Sequence, residues 1–403
     1  MDIRPDFLQA ALIIAEEIID VRRKVHQYPE LGFEENETAR LIAGKLQSMG
    51  LEVTQGVGRT GVVGLLRGEQ PGPTLAIRAD MDALPILEKT GLPFASCRPG
   101  LMHACGHDAH VAVVLGAAMI LNGFRSLLRG NLKFIFQPCE ETPPGGALEM
   151  IAMGVMEDPK VDAILGLHVN PLLPAGSVGV KCGTVMAAAD MFKIIIRGKG
   201  GHGAAPHQAA DAIVAAAAVI QSLQTLASRR VDPAQPVVVT IGTIAGGYKS
   251  NVIADRVEMK GTVRTLCLEL RARMPALMEE IIKSAAQAYS TEAELVYEFG
   301  YPPVENNPGM VDLVREAAAK VLGSGRVVEV QHSSMGGEDF AYFLQHCPGA
   351  YFYLGVGQDN APNYPWHHSQ FDISEAALAY GAATLAGASL SYLNSHGNEL
   401  AEG

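Results

Sequence analysis

The chain has 403 residues, 48% of them hydrophobic and 18% charged, with 31 basic against 43 acidic side chains and a net charge of −12. At about 150 residues per domain this length predicts two or three domains, and the apolar share excludes disorder as the main state. An acidic chain without a Lys/Arg-rich run is a poor match to a phosphate backbone, so no nucleic-acid partner is expected.

The opening stretch MDIRPDFLQA has neither a basic nor an apolar leader region, so no signal peptide is expected and cytoplasm is the default compartment. Amphipathic helices are predicted over about 5–25 and about 35–49, the second stopping at Gly50. Gly56 to Gly61 matches GxGxxG, but the residues after it, VVGLLRG, read as a strand, so the glycines are expected in a hairpin turn rather than a dinucleotide site. Short apolar strands then recur, each with polar residues towards its C-terminal end. LAIRADMD leads to Asp80 and Asp82, LKFIFQPCEE to Glu140 and Glu141, AILGLHV closes at His168, and AYFYLGVG runs towards His367 and His368. Helices alternate with them, including one from Ala109 to about Leu121, whose apolar run of about 11 residues falls short of the roughly 20 that span a bilayer, so no membrane association is expected. Alternating strands and helices predict an α/β fold with a mostly parallel sheet, whose ligands gather at the carboxyl ends of its strands.

The segment 188–301 has an α+β texture: a strand, a Gly/His-rich turn, an Ala-rich helix, two strands, a helix and a final strand. It is expected to be an inserted domain, with 1–187 and 302–403 forming the other.

Three histidines, Cys105 and Asp108 crowd into the stretch Met102–His110. On extended backbone Cys105 and His107, two apart, point to one side and can share a metal; Asp108 is expected to help start the following helix. On a strand, Glu140 and Glu141 face opposite ways, one to a metal and one to the cleft as a proton carrier. With His168 and one late histidine these donors exceed the needs of a single tetrahedral structural zinc. They suit two bridged divalent ions about 3.5–4 Å apart; mixed sulfur, nitrogen and oxygen donors favour Zn, while Mn, Co or Ni also suit such a site. The six cysteines lack a CxxC pair and are otherwise expected as buried free thiols.

Taken in order, RADMDALPI, MHACGHDAH, FQP-x-EE, GLHV, GKGGHGAAPH, NVIADRVEMKGTVR, GGEDFAYF and HHSQFD resemble the M20 metallopeptidases over nearly the whole chain. The closest group is the M20D amidohydrolases, which includes aminoacylases, hippurate hydrolases, indole-acetyl-amino-acid hydrolases and thermophile carboxypeptidases. The resemblance implies a di-metal catalytic domain, its sheet flanked by helices, with the inserted domain acting as a lid that dimerises. It implies Cys105, His107, Glu141, His168 and His367 as metal ligands, with Cys105 a bridging thiolate, Glu140 as general base and Asp82 supporting the site. His367 is chosen over His368 for its four-residue spacing to Phe371. In the lid, His202, Asn251 and Arg264 match residues that bind the substrate's carboxylate and oxyanion, His202 reaching into the neighbouring subunit of a homodimer or dimer-based tetramer. The implied activity is hydrolysis of N-acyl-amino acids or short peptides with a free carboxylate; the alternatives are a carboxypeptidase or a non-catalytic binder on the same fold. Two departures, Cys139 where Ala is common and Thr142-Pro143-Pro144 where glycines are usual, lie beside the base and bear on the pocket's shape.

Overall fold

The computed structural model describes residues 5–359 and 361–397. Its larger sheet has eight strands, in the spatial order Glu52–Val57, Gly61–Arg67, Arg129–Gln137, Gln70–Asp80, Ala163–Pro174, Gly349–Gly357, Val178–Val180 and Val327–Glu329. The central strands Arg129–Gln137, Gln70–Asp80, Ala163–Pro174 and Gly349–Gly357 run parallel, and antiparallel strands are added outside them. The reason is legible in their composition. Leu75–Asp80, Leu132–Gln137 and all of Gly349–Gly357 are buried, and a strand covered on both faces needs the near-continuous apolar run these segments carry.

The covering layers are helices. His107–Gly123 and Ala377–Gly397 are buried almost all round and pack on one another, with Ala15–Gln27 and Pro308–Leu322 beside them. The first expected helix is in fact two, Phe7–Ile13 and Ala15–Gln27, interrupted at Ile14, whose backbone leaves the helical range. Gly56 to Gly61 is a hairpin turn, with Val57 opposite Gly61. Gly56, Gly58 and Arg59 there take positive φ, which two glycines adopt without strain.

The chain divides into two compact units, one holding the described parts of Met1–Gly183, Glu305–His332 and Asp339–Gly403, the other Thr184–Val304 and Ser333–Glu338. The second unit has a four-stranded antiparallel sheet in the order Val237–Gly246, Arg256–Thr265, Ala188–Arg197, Glu292–Tyr301. Helices Ala212–Thr225 and Leu268–Gln287 supply its core partners. Leu270, Met274, Met278, Ile282 and Ala286 recur every fourth residue, so they line one helix face against Ile194, Ile196, Val257 and Met259. Ser333–Glu338, remote in sequence, joins this unit because Ser334 exchanges backbone hydrogen bonds with Val185 and Ala187 and the Ser333 hydroxyl donates to Thr184.

Candidate metal centre and active site

The site lies in the first unit and starts from a strand end. Asp80 closes the strand Gln70–Asp80, and Asp82 follows it, both buried. Asp82 Oδ1 lies 3.1 Å from His107 Nδ1, and its Oδ2 accepts the Glu141 N–H at 3.0 Å. One carboxylate therefore fixes a histidine ring and the backbone of a neighbouring loop. With Nδ1 committed to Asp82, His107 Nε2 faces the site, where among the described residues it finds no hydrogen-bond partner. An outward-facing nitrogen oriented from behind by a carboxylate is the arrangement metal-binding histidines use.

Cys105 and His107 are not on extended backbone. Gly106 has φ +92° and caps the helix that His107 begins. A Cβ at Gly106 would sit 2.3 Å from Val169 Cγ2, so both conformation and space demand glycine. Nor does Asp108 cap this helix. It is buried, accepting from Arg22 Nε at 2.8 Å and paired with His26 Nδ1 at 2.8 Å, which ties the helix start to Ala15–Gln27.

Glu140 and Glu141 fall beyond the strand Arg129–Gln137, not on it. Cys139 takes a left-handed φ of 51° and turns the chain, and Gly146 N–H closes the loop on Cys139 O at 2.8 Å. The expected opposite orientations are thereby lost: both carboxylates face His107 Nε2, at 4.0 Å and 3.9 Å. His168 is also displaced from expectation. It lies within Ala163–Pro174 rather than at its end, because Gly349–Gly357 keeps pairing past it, Tyr353 opposite His168 and Gly355 opposite Asn170. Its Nδ1 donates to Val169 O at 2.8 Å, leaving Nε2 3.4 Å from Cys105 Sγ. His367 has φ +64°, donates its N–H to Ala104 O at 2.8 Å and brings Nε2 to 3.2 Å from Glu141 Oε1. His368 instead stacks on Tyr364 with ring centroids 4.5 Å apart.

Among the groups of donor atoms that result, two share Cys105, one with His107 and His168 and one with Glu141 and His367, each within 4.8 Å. Their electrostatics ask for cations. Burial, then the carboxylates of Glu141, Glu140 and Asp80, push the Cys105 thiol well above its ordinary range. Burial works against a charge on His107, yet Asp80, Asp82 and Glu141 raise it to about 10. Burial and neighbouring His110 keep His168 neutral, the form that coordinates. Anionic and neutral donors, buried apart from partly buried Glu141 and exposed His367, around an unengaged ring nitrogen fit divalent ions.

In the second unit, His202 and Asn251 belong to one small ribbon. Gly201–His202 pairs with Val252–Ile253, and Gly203 N–H donates to Asn251 O at 2.9 Å. Both residues are exposed. Arg264 lies elsewhere in that unit, half-buried on Arg256–Thr265.

A family model described as peptidase family M20/M25/M40 matches residues 76–391. The chain belongs to peptidase family M20. It is 43% identical over 373 residues to thermostable carboxypeptidase 1 of Saccharolobus solfataricus, covering 92% of this chain and 93% of that one. It is 42% identical over 365 residues to N-acetyl-L-cysteine deacetylase of Bacillus subtilis, covering 91% and 85% respectively. A solved structure of Bacillus subtilis YXEP, described as a dinuclear metal binding peptidase from the M20 family, superposes with a TM-score of 0.84 at 38% identity, covering 95% of this chain and 99% of that one.

Around these candidate donors stands a buried layer whose connections sequence reading did not show. Arg78 donates to Asp80 at 2.7 Å, Gln137 at 2.9 Å and Asp339 at 2.8 Å. Asp80 in turn lies 2.6 Å from His110 Nδ1, and His110 Nε2 accepts the Val169 N–H at 3.0 Å. Glu35 accepts the Cys139 N–H at 2.8 Å and the Thr60 hydroxyl at 2.5 Å. The one local signal was a charged pair, Arg78 and Asp80, two apart in an apolar strand and so on one face.

Proposed function

We propose that this M20 protein hydrolyses the amide bond of N-acyl-amino acids, or of short peptides with a free C-terminal carboxylate, using two divalent ions held by Cys105, His107, Glu141, His168 and His367. The observation that carries this reading is that Cys105 Sγ belongs at once to both donor groups, as a bridging thiolate would. When bound, the ions supply Lewis acidity and lower the pKa of water, and the donor mixture favours Zn over Mn, Co or Ni. Glu140, facing His107 across the centre, takes the proton of the attacking water and returns it to the leaving nitrogen. Asp82 holds His107 and the Glu141 backbone so that both donors and base keep their relative positions. Arg264 and Asn251 receive the α-carboxylate, and His202 the oxyanion, in a homodimer or dimer-based tetramer. The second unit supports self-association: Val237–Gly246 is an open sheet edge, and Ile213, Ile244, Tyr248 and Val252 near it are exposed.

The test is a panel of N-acetyl- and N-benzoyl-amino acids, their carboxamides, and dipeptides, assayed after chelation and after return of Zn, Mn or Co. Activity should vanish on chelation, return with metal, and fall for the carboxamides, which lack the charged partner. Undiminished hydrolysis by metal-stripped protein would overturn the proposal. Faster cleavage of acyl-amino acids than of dipeptides marks a deacylase, and the reverse a carboxypeptidase.

A further inference from the structure

Trp366 is the chain's single tryptophan, and it stands immediately before His367. Its indole Nε1–H donates to Val169 O at 2.9 Å. The same carbonyl accepts His168 Nδ1–H at 2.8 Å, so both of its lone pairs are engaged. The indole also packs edge-on against the His168 ring, with centroids 4.7 Å apart and planes at 64°. The preceding peptide is held too, the Val169 N–H donating to His110 Nε2 at 3.0 Å. One residue later the chain is pinned again, the left-handed His367 donating its N–H to Ala104 O at 2.8 Å, beside Cys105.

Trp366 thus touches the ring of a donor in one group and stands immediately before a donor of the other. We propose that Trp366 is a positioning residue that couples the two ion subsites, its indole N–H and ring holding His168 and the His367 backbone in one rigid arrangement; this rests on the two-metal reading above. An ion that orders His168 then also orders His367. Residues behind metal ligands set ligand orientation, and losing one weakens metal binding roughly 10–100-fold.

The experiment is a titration of metal-stripped protein with Zn against a competing chelator, comparing wild type with Trp366→Phe, which keeps an aromatic ring but lacks the donor. Two ions should bind the wild type. In Trp366→Phe both dissociation constants should rise about tenfold or more, with the melting temperature of the metal-free protein little changed. Weakening of both steps is the signature of coupling, because a local packing defect beside His168 would weaken one. Wild-type affinities in Trp366→Phe, or weakening of a single step, would overturn the inference while leaving the two-metal reading intact. A wild type that binds no ion would remove both. If the variant does not fold, the wild type decides: its one indole N–H NMR signal should exchange slowly with solvent in the Zn-loaded protein, and exchange at the free rate would refute the hydrogen bond.

Discussion

Glu140 and Glu141 are adjacent carboxylates with different partners. Glu141 has His367 Nε2 at 3.2 Å and its N–H on Asp82, which supports its proposed place among the donors. Glu140→Gln should retain both ions and lose at least about 10²-fold in kcat, the low end for a positioned acid–base group. Glu141→Gln should lose metal as well, read by elemental analysis; the reverse pattern would exchange the two roles. Glu35 gives a second residue-scale prediction. Burial raises its carboxyl from an ordinary 4.5 to about 7, nearby Asp82 adds to the rise, and the Thr60 hydroxyl and Cys139 N–H oppose it. A carboxyl raised in the folded state holds its proton there after the unfolded chain has released it. Its contribution to stability is therefore present at low pH and declines as pH climbs from about 4.5 to about 7. Glu35→Gln stays neutral throughout and keeps an acceptor for Cys139. Its stability relative to wild type should grow between pH 5 and 8, by on the order of 3 kcal/mol in denaturant titrations. A flat difference would show that Glu35 titrates as an ordinary exposed acid.

At the scale of elements, the site is assembled mostly at junctions, with one side chain from the middle of a strand. The proposed donors come from a loop-to-helix junction at Gly106, a closed loop after Arg129–Gln137, the middle of Ala163–Pro174 and a left-handed turn at His367. Gly106 is the tightest of these, with φ +92° and 2.3 Å between a built Cβ and Val169 Cγ2. Gly106→Ala must move Val169, whose carbonyl and amide hold His168 and His110, and must also place Ala in a left-handed conformation. The expected result is a loss of about 2–4 kcal/mol, from strain and overpacking together, with weakened metal binding. Thermal melts and metal content of the same preparation check both halves. A variant with wild-type metal content and melting temperature would mean that Val169 yields more easily than the packing implies.

At the scale of the whole molecule, the proposal that His202 acts across a dimer makes a quantitative prediction. His202→Ala and Glu140→Ala homodimers should each be nearly inactive. A mixed dimer has one site with both residues intact, since each subunit supplies what the other lacks. Random pairing after co-refolding equal amounts makes about half the dimers mixed, so about a quarter of wild-type activity should return. No recovery in samples containing mixed dimers would place His202 within its own subunit's site or outside the chemistry.

The α/β class of the larger unit, the helix after Cys105 and the hairpin at Gly56–Gly61 were legible because each depends on local period, apolar run length or turn residues. The donor-bearing segments were legible too, since Cys, His and Glu in those short spacings are rare outside metal chemistry. What one stretch of chain could not decide was direction. Glu140 and Glu141 converge because Cys139 turns left-handed, a conformation held by a Glu35 contact 104 residues away in sequence. His168 lies mid-strand because Gly349–Gly357 pairs beyond it, and Asp108 serves an ion pair with Arg22 and His26 rather than a helix cap. Of the buried layer of Arg78, Asp80, His110 and Asp339, only the Arg78–Asp80 pair left a local signal, for the same reason. A charged side chain survives burial only beside its partner, and which partners meet is set by the order in which distant strands pair. Local sequence determined which elements form and which residue types can bind metal; only the tertiary pairing decided which atoms face one another.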